Sequence, residues 1–213
     1  CWKRRSAGVP NSGCGRTAAG NTNEMPVAKI VILNWNGAEH LRRFLPSVVA
    51  AAPEGVGVVV ADNGSTDDSV AILAAEFPTV SVLRMDRNYG FAGGYNRALE
   101  RIEADYYLLL NSDVETPAGW LGPILDCLNA NPDVAVAAPK LISCTDRTTF
   151  EYAGASGGFI DFLGYPFCRG RILRCVEEDR GQYDDARDVF HARNIVAGCH
   201  APTNNRWLRH PAG

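Results

Sequence analysis

The sequence predicts an α/β fold in which a mostly parallel central sheet carries helices on both faces. Two observations lead there. Short apolar runs alternate with stretches of helical periodicity between residues 27 and 142, which implies parallel strands joined by right-handed crossovers. The apolar runs also end in clusters of Asn, Asp, Gly and Ser. Such a topology gathers those turns along one edge, where open α/β sheets bind ligands.

In chain order, residues 1–24 are rich in Gly, Ser, Asn and Thr, carry four basic residues against one acid and show no hydrophobic period. They are expected to be disordered, with a basic arm as the functional alternative. Met25 opens the folded pattern and is the expected natural start. Val27 to Leu33 is a β-branched strand, broken by the turn signal Asn34-Trp35-Asn36-Gly37. Leu41, Phe44, Leu45, Val48 and Val49 give a helix that Pro46 is expected to kink or restart. Val56 to Ala61 is a second strand, ending at Asp62, and Ser65 with Asp68 has the spacing of a capping box for the next helix. Val80 to Met85 is a third strand. Phe91, Tyr95, Ala98, Leu99 and Ile102 mark a third helix. After the fourth strand, Leu121, Ile124, Leu125 and Leu128 give a helix, and Val134 to Ile142 reads as a further strand.

The fourth strand carries the strongest chemical signal. Tyr106 to Leu110 is an unbroken apolar run that stops at Asn111-Ser112-Asp113-Val114-Glu115, as a strand covered on both faces does. If the backbone stays extended, Asn111, Asp113 and Glu115 project to one side. Oxygen ligands at the carboxyl end of a parallel strand suit a hard divalent cation, Mg²⁺ or Mn²⁺, beside a diphosphate. The alternative is a polar strand end that caps a helix.

Composition narrows the classes. The chain has 213 residues and a net charge of −3, so no nucleic-acid partner held by bulk charge is expected. No apolar run approaches the roughly 18 residues that a membrane helix needs. Seven cysteines without a CxxC pair favour reduced thiols over zinc or a disulfide framework. No GxGxxG follows the first strand and no GxxxxGK[ST] occurs, which removes the dinucleotide and P-loop fingerprints. The acids at Glu177-Glu178-Asp179 read as a solvated loop. Arg169 and Arg171 read either as facing a phosphate or as exposed turn residues.

Val31 to Gly37, Asp62 to Asp67, Asn88 to Asn96 (Asn88-Tyr89-Gly90-Phe91-Ala92-Gly93-Gly94-Tyr95-Asn96) and Leu110 to Glu115 occur in an order and spacing that resemble the motifs of family 2 glycosyltransferases with the GT-A fold. The nearest resemblance is to rhamnosyltransferase-like bacterial members, which implies a role in cell wall or polysaccharide biosynthesis. It implies a nucleoside-diphosphate sugar donor, UDP- or dTDP-linked, a glycan or lipid-linked acceptor, and inverting transfer assisted by a divalent cation. Asp62 and Asn34 then lie against the nucleotide. Asn88, Gly90, Gly93 and Asn96 shape and orient the donor site. Asn111 replaces the first acid of the family's DxD motif, Asp113 is its metal-binding acid, and Glu115 assists. A cytoplasmic protein, peripherally associated with the inner face of the membrane, is what such relatives imply.

On this resemblance residues 25–142 form the nucleotide-sugar-binding half and 143–191 begin an acceptor-binding half that is incomplete. Residues 192–213, with three Arg, two His and no acid, are an aberrant tail. The family's catalytic base is expected downstream, so this chain is expected to be inactive as it stands. Two other readings stay open: a non-catalytic nucleotide-binding or interaction fragment, and a sugar-phosphate nucleotidyltransferase.

Overall fold

The computed structural model describes residues 2–4, 27–131, 134, 136–151, 156–160, 162–172 and 175–183. The expected tail at 192–213, and most of that at 1–24, lie outside the described residues.

The chain orders its elements as β1 (Trp2–Arg4), β2 (Ala28–Asn34), α1 (Ala38–Ala51), β3 (Gly57–Asp62), α2 (Ser69–Glu76), β4 (Ser81–Arg84), α3 (Gly90–Arg101), β5 (Tyr106–Asn111) and α4 (Gly122–Ala130). Strands β5, β2, β3 and β4 lie side by side and parallel, and β1 adds an antiparallel edge next to β5. Each parallel strand returns through a helix, as the alternating pattern requires.

Strand residues divide between two apolar layers by their parity. Ile30, Ile32, Val58, Val60, Leu108 and Leu110 pack with Leu41, Leu45 and Val48 of α1, Leu73 of α2, and Ile124 and Leu128 of α4. Val31, Val59, Ala61 and Tyr107 face the other way, against Tyr95 and Ala98 of α3. Both faces are covered, which is why these strands read as unbroken apolar runs.

Four local expectations are corrected. Residues Trp2–Arg4, expected to be disordered, pair with Leu108, Tyr107 and Tyr106, because the outer edge of β5 offers unpaired backbone groups. Residue 134 and residues 136–142, expected as a strand, form none. Val134 and Ala137 are buried against the core, Pro139 lacks a donor, and Ile142 alone makes a bridge, to Phe150. Pro46 sits inside a continuous α1. The capping box does not form, since α2 starts at Ser69 with no side-chain cap bond from Asp68.

The chain then forms a small antiparallel sheet, β6 (Gly158–Ile160), β7 (Pro166–Cys168), β8 (Arg171–Ile172) and β9 (Cys175–Val176). Lys140 and Asp179, both nearly buried, form an ion pair of 2.6 Å beside it. Arg169 is buried with Nη1 donating to the Ser156 carbonyl, and Arg171 Nη1 donates to the Phe150 carbonyl. Neither arginine is the freely exposed turn residue expected above.

One side chain fixes the carboxyl ends of β2 and β5 from beneath. The Tyr95 hydroxyl donates to the Leu110 carbonyl at 2.9 Å and accepts from the Leu33 N–H at 3.5 Å, so α3 is tied to the last turns of β2 and β5. Burial pushes this phenol far above its ordinary pKa. Tyr95→Phe leaves the carbonyl short of a donor and is expected to cost about 1–2 kcal/mol, measured by urea denaturation. An unchanged midpoint contradicts that role.

Candidate functional site

The strand register places the predicted polar residues together. Asn34 pairs with Asp62, and Leu33 with Asn111, so three neighbouring parallel strands end in polar side chains at one edge. Asn34 and Asp62 are buried, at 0% and 1% exposure, and such groups must find hydrogen bonds. Asn34 Nδ2 donates to Asp62 Oδ1 and to Ser65 Oγ, each at 3.2 Å. Asp62 Oδ2 accepts from the Ser65 N–H at 3.2 Å. Ser65 Oγ also takes the Asn36 N–H at 2.9 Å, and Asn36 Oδ1 takes the Thr66 N–H at 2.7 Å. Ser65 thus staples the loops after β2 and β3 instead of capping a helix.

Asn34 Oδ1 is buried and has no partner among the described residues. Gly37 stands over it, and a Cβ there comes within 2.5 Å of that oxygen, so only glycine leaves the acceptor uncovered. Asp67 joins the same frame by accepting the Ala38 N–H at 3.0 Å. Burial opposes ionisation of Asp67, but donors from Ser69 and Ala38 outweigh it and hold the carboxyl below its ordinary range.

The third loop is latched by Asn63, which the sequence reading did not single out. Its Nδ2 donates to Asn88 Oδ1 at 2.9 Å and to the Gly90 carbonyl at 3.1 Å, and its Oδ1 accepts the Tyr89 N–H at 3.0 Å. Asn88 Oδ1 further accepts the Gly90 N–H at 2.7 Å. The signal available was the amide directly after the strand-ending Asp62. Gly90 opens α3, and a Cβ there meets nothing within 4 Å, whereas one at Gly93 touches Tyr89 Cβ at 3.4 Å. Asn96 is exposed on α3, with no hydrogen bond to this cluster among the described residues.

β5 ends at Asn111, and Ser112 and Asp113 form a turn, so the expected extended triad of Asn111, Asp113 and Glu115 does not form. Asn111 and Asp113 are half-buried. Asp113 Oδ1 is buried without a partner. Burial raises its carboxyl above the ordinary range, with His40 of α1 opposing the rise and Glu151 adding to it. Glu115 is held by a residue 32 positions on: Arg147 Nη2 donates to its two carboxylate oxygens at 2.9 and 2.7 Å.

Trp35, between Asn34 and Asn36, is 57% exposed, a large ring left uncovered at the strand exit. Its signal in the sequence is one aromatic residue flanked by two strand-end amides. A separate groove of about 340 Å³ is lined by Arg84, Met85, Asp86, Tyr89, Arg97, Glu100 and Arg101. It shares none of Asn34, Asp62, Asn111 or Asp113.

Residues 29–183 match the sequence model of Glycosyl transferase family 2. Among similar proteins, an N-acetylglucosaminyl-diphospho-decaprenol L-rhamnosyltransferase of Mycobacterium tuberculosis is 28% identical over 138 residues, 60% of this chain and 45% of that protein. A pre-mycofactocin glycosyltransferase of the same organism is 31% identical over 122 residues, covering 55% and 24%. The chain therefore spans less than half the length of these relatives. The crystal structure of S. aureus TarS 1-349 in complex with UDP-GlcNAc superposes with a TM-score of 0.51 at 20% identity, covering 60% of this chain and 38% of that one. That likeness gives the fold, the GT-A type expected from the sequence motifs. Among the described residues no helix is long and apolar enough to cross a membrane.

Gly64 keeps two of the loops in contact. Its φ is +74°, and a Cβ lies 2.5 Å from the Arg87 carbonyl carbon. Gly64→Ala combines left-handed strain with a backbone clash and is expected to cost about 2 kcal/mol or more. Thermal or urea denaturation checks this, and a change within error contradicts the packing described.

Proposed function

The chain belongs to Glycosyl transferase family 2, and on that premise we propose that its strand-end loops bind a nucleoside-diphosphate sugar and a divalent cation for transfer of the sugar. The observation that carries the reading is that Asn34, Asp62 and Asn111 end three adjacent parallel strands at one edge of the sheet, with Asn34 bonded to Asp62 and the acid turn of Asp113 directly after Asn111.

In this reading the nucleoside lies along the frame built by Asn34, Asp62 and Ser65. The exposed Trp35 ring offers the base a stacking face. The diphosphate points toward the acid turn. Asp113 supports a cation there because its Oδ1 is buried without a donor, an arrangement that costs stability unless a positive group arrives. Asn111 is the neighbouring oxygen ligand, and Glu115 becomes one only on leaving Arg147. Such a donor set suits Mg²⁺ or Mn²⁺ held by one or two carboxylates together with substrate phosphates. When bound, such a cation neutralises charge on the departing diphosphate.

The donor is proposed to be UDP- or dTDP-linked, and transfer to be inverting. The acceptor is proposed to be a glycan or a lipid-linked glycan at the cytoplasmic face of the membrane, by analogy with the diphospho-decaprenol named for the mycobacterial relative. Inverting transfer also needs a carboxylate to take the acceptor's proton. That base is proposed to lie downstream of the described residues, so a chain lacking it binds donor without turnover.

Asp113→Asn separates function from folding. A carboxyl with a folded-state pKa above its unfolded value opposes folding wherever the unfolded chain is ionised, including pH 7. The amide removes that penalty, so the variant is expected to be at least as stable as the unaltered chain. It is expected to lose the gain in UDP or dTDP affinity that Mn²⁺ confers, by tenfold or more, on the order of one lost charge-assisted contact. Calorimetric titrations with and without Mn²⁺ test this. A variant that keeps the Mn²⁺-dependent gain contradicts the assignment of Asp113.

A further inference from the structure

The ion pair between Glu115 and Arg147 has no place in the arrangement expected of the acid turn, and its position points to a second purpose. Arg147 occupies the tip of a hairpin that leaves the core at Ile142 and returns at Phe150, two buried residues joined by an antiparallel bridge. The tip is internally braced. The Ser143 N–H donates to the Thr149 carbonyl at 2.9 Å, and Asp146 Oδ1 accepts from the Thr148 N–H at 3.1 Å and its hydroxyl at 2.7 Å. The guanidinium is therefore delivered by a stiff loop rather than by a wandering segment. Its side chain remains 62% exposed while one nitrogen reaches both oxygens of Glu115.

Glu115 lies two residues beyond Asp113, so their Cα atoms are no more than about 7 Å apart. Glu151, directly after the hairpin, acts on the Asp113 carboxyl through its charge. The hairpin thus borders the acid turn. His40 and Glu151 act on Asp113 through their charges and Arg147 pairs with Glu115, so this side of the molecule carries three carboxylates, and Asn111 brings no charge. A nucleoside diphosphate adds further negative charge to that balance. A planar guanidinium pairs with phosphate oxygens in two-point geometry, and an exposed ion pair to a carboxylate is a weak tie that a phosphate can replace.

We propose that Arg147 is a ligand for the donor's diphosphate, parked on Glu115 until the nucleotide arrives and then transferred to the phosphate oxygens, which releases Glu115. This rests on the donor-site reading above. It assigns the hairpin tip to leaving-group recognition and makes the Glu115–Arg147 pair an exchange contact rather than a fixed brace.

The test uses the full chain and calorimetric titration with UDP and dTDP, each compared with uridine and thymidine, in buffer without divalent cations. Arg147→Ala is expected to weaken diphosphate binding about tenfold or more, with nucleoside binding unchanged. Arg147→Lys is expected to recover part of the loss. Glu115→Gln frees the guanidinium and is expected to leave diphosphate binding equal or tighter, whereas a merely bracing pair makes Glu115→Gln and Arg147→Ala equivalent. Thermal melts of all three variants report whether the fold is kept. Unchanged diphosphate affinity in Arg147→Ala overturns the proposal and leaves the donor-site reading standing, as does equal weakening in Arg147→Ala and Glu115→Gln. Failure of the unaltered chain to bind any of the four probes overturns both.

Discussion

The buried contact between Asn34 Nδ2 and Asp62 Oδ1 is the constraint on which the carboxyl edge of the parallel strands depends. Two polar side chains at the ends of adjacent parallel strands, both essentially without exposure, are tolerable only if each satisfies the other. That requirement pins the register, because a slip of one residue in either strand turns its side chain to the opposite face, away from its partner. From this pair the order spreads outward. Ser65 bonds to Asn34 and receives Asn36, and Asn63 extends the frame to Asn88 and Gly90. The Tyr95 hydroxyl holds β2 and β5 from the side away from α1. Four loops that are distant in sequence thereby share one rigid floor, as a site built for a fixed ligand geometry requires.

Above the floor the chemistry is less settled in energy, and that is consistent with a binding role. Asp113 carries a buried oxygen without a donor and a carboxyl raised by burial. Glu115 and Arg147 are instead paired in a contact that solvent reaches. In the proposed reading the first group opposes folding until a cation comes, and the other two hold each other until a diphosphate comes. Stability forgone at such positions is a recurrent feature of functional sites.

Much of this was legible in the sequence, for identifiable reasons. The parallel strands announced themselves as unbroken apolar runs because both of their faces are covered. Asn34, Asp62 and Asp113 stood out because polar residues terminate those runs. What escaped depended on partners far along the chain. Glu115 was placed by assuming that β5 continues, but the strand stops at Asn111 and Arg147 claims the carboxylate. Ser65 had the spacing of a capping residue, yet a buried amide 31 residues away offered it a better partner. The strand expected from Val134 to Ile142 is absent among its described residues, where Val134 and Ala137 pack into the core and Ile142 bridges to Phe150. Local pattern set the elements, and long-range competition for hydrogen bonds set the site.

The central claim is that the carboxyl ends of β2, β3 and β5 converge on one nucleotide diphosphate and its cation. Backbone amide spectra of the isotopically labelled chain, recorded with UDP or dTDP and then with paramagnetic Mn²⁺, test it most directly. The account predicts broadening at residues 34–37, 62–66 and 111–115, with Ala28, Gly57 and Tyr106 at the opposite strand ends unaffected. Broadening centred on the Arg84 to Arg101 groove, or none that depends on the nucleotide, contradicts it.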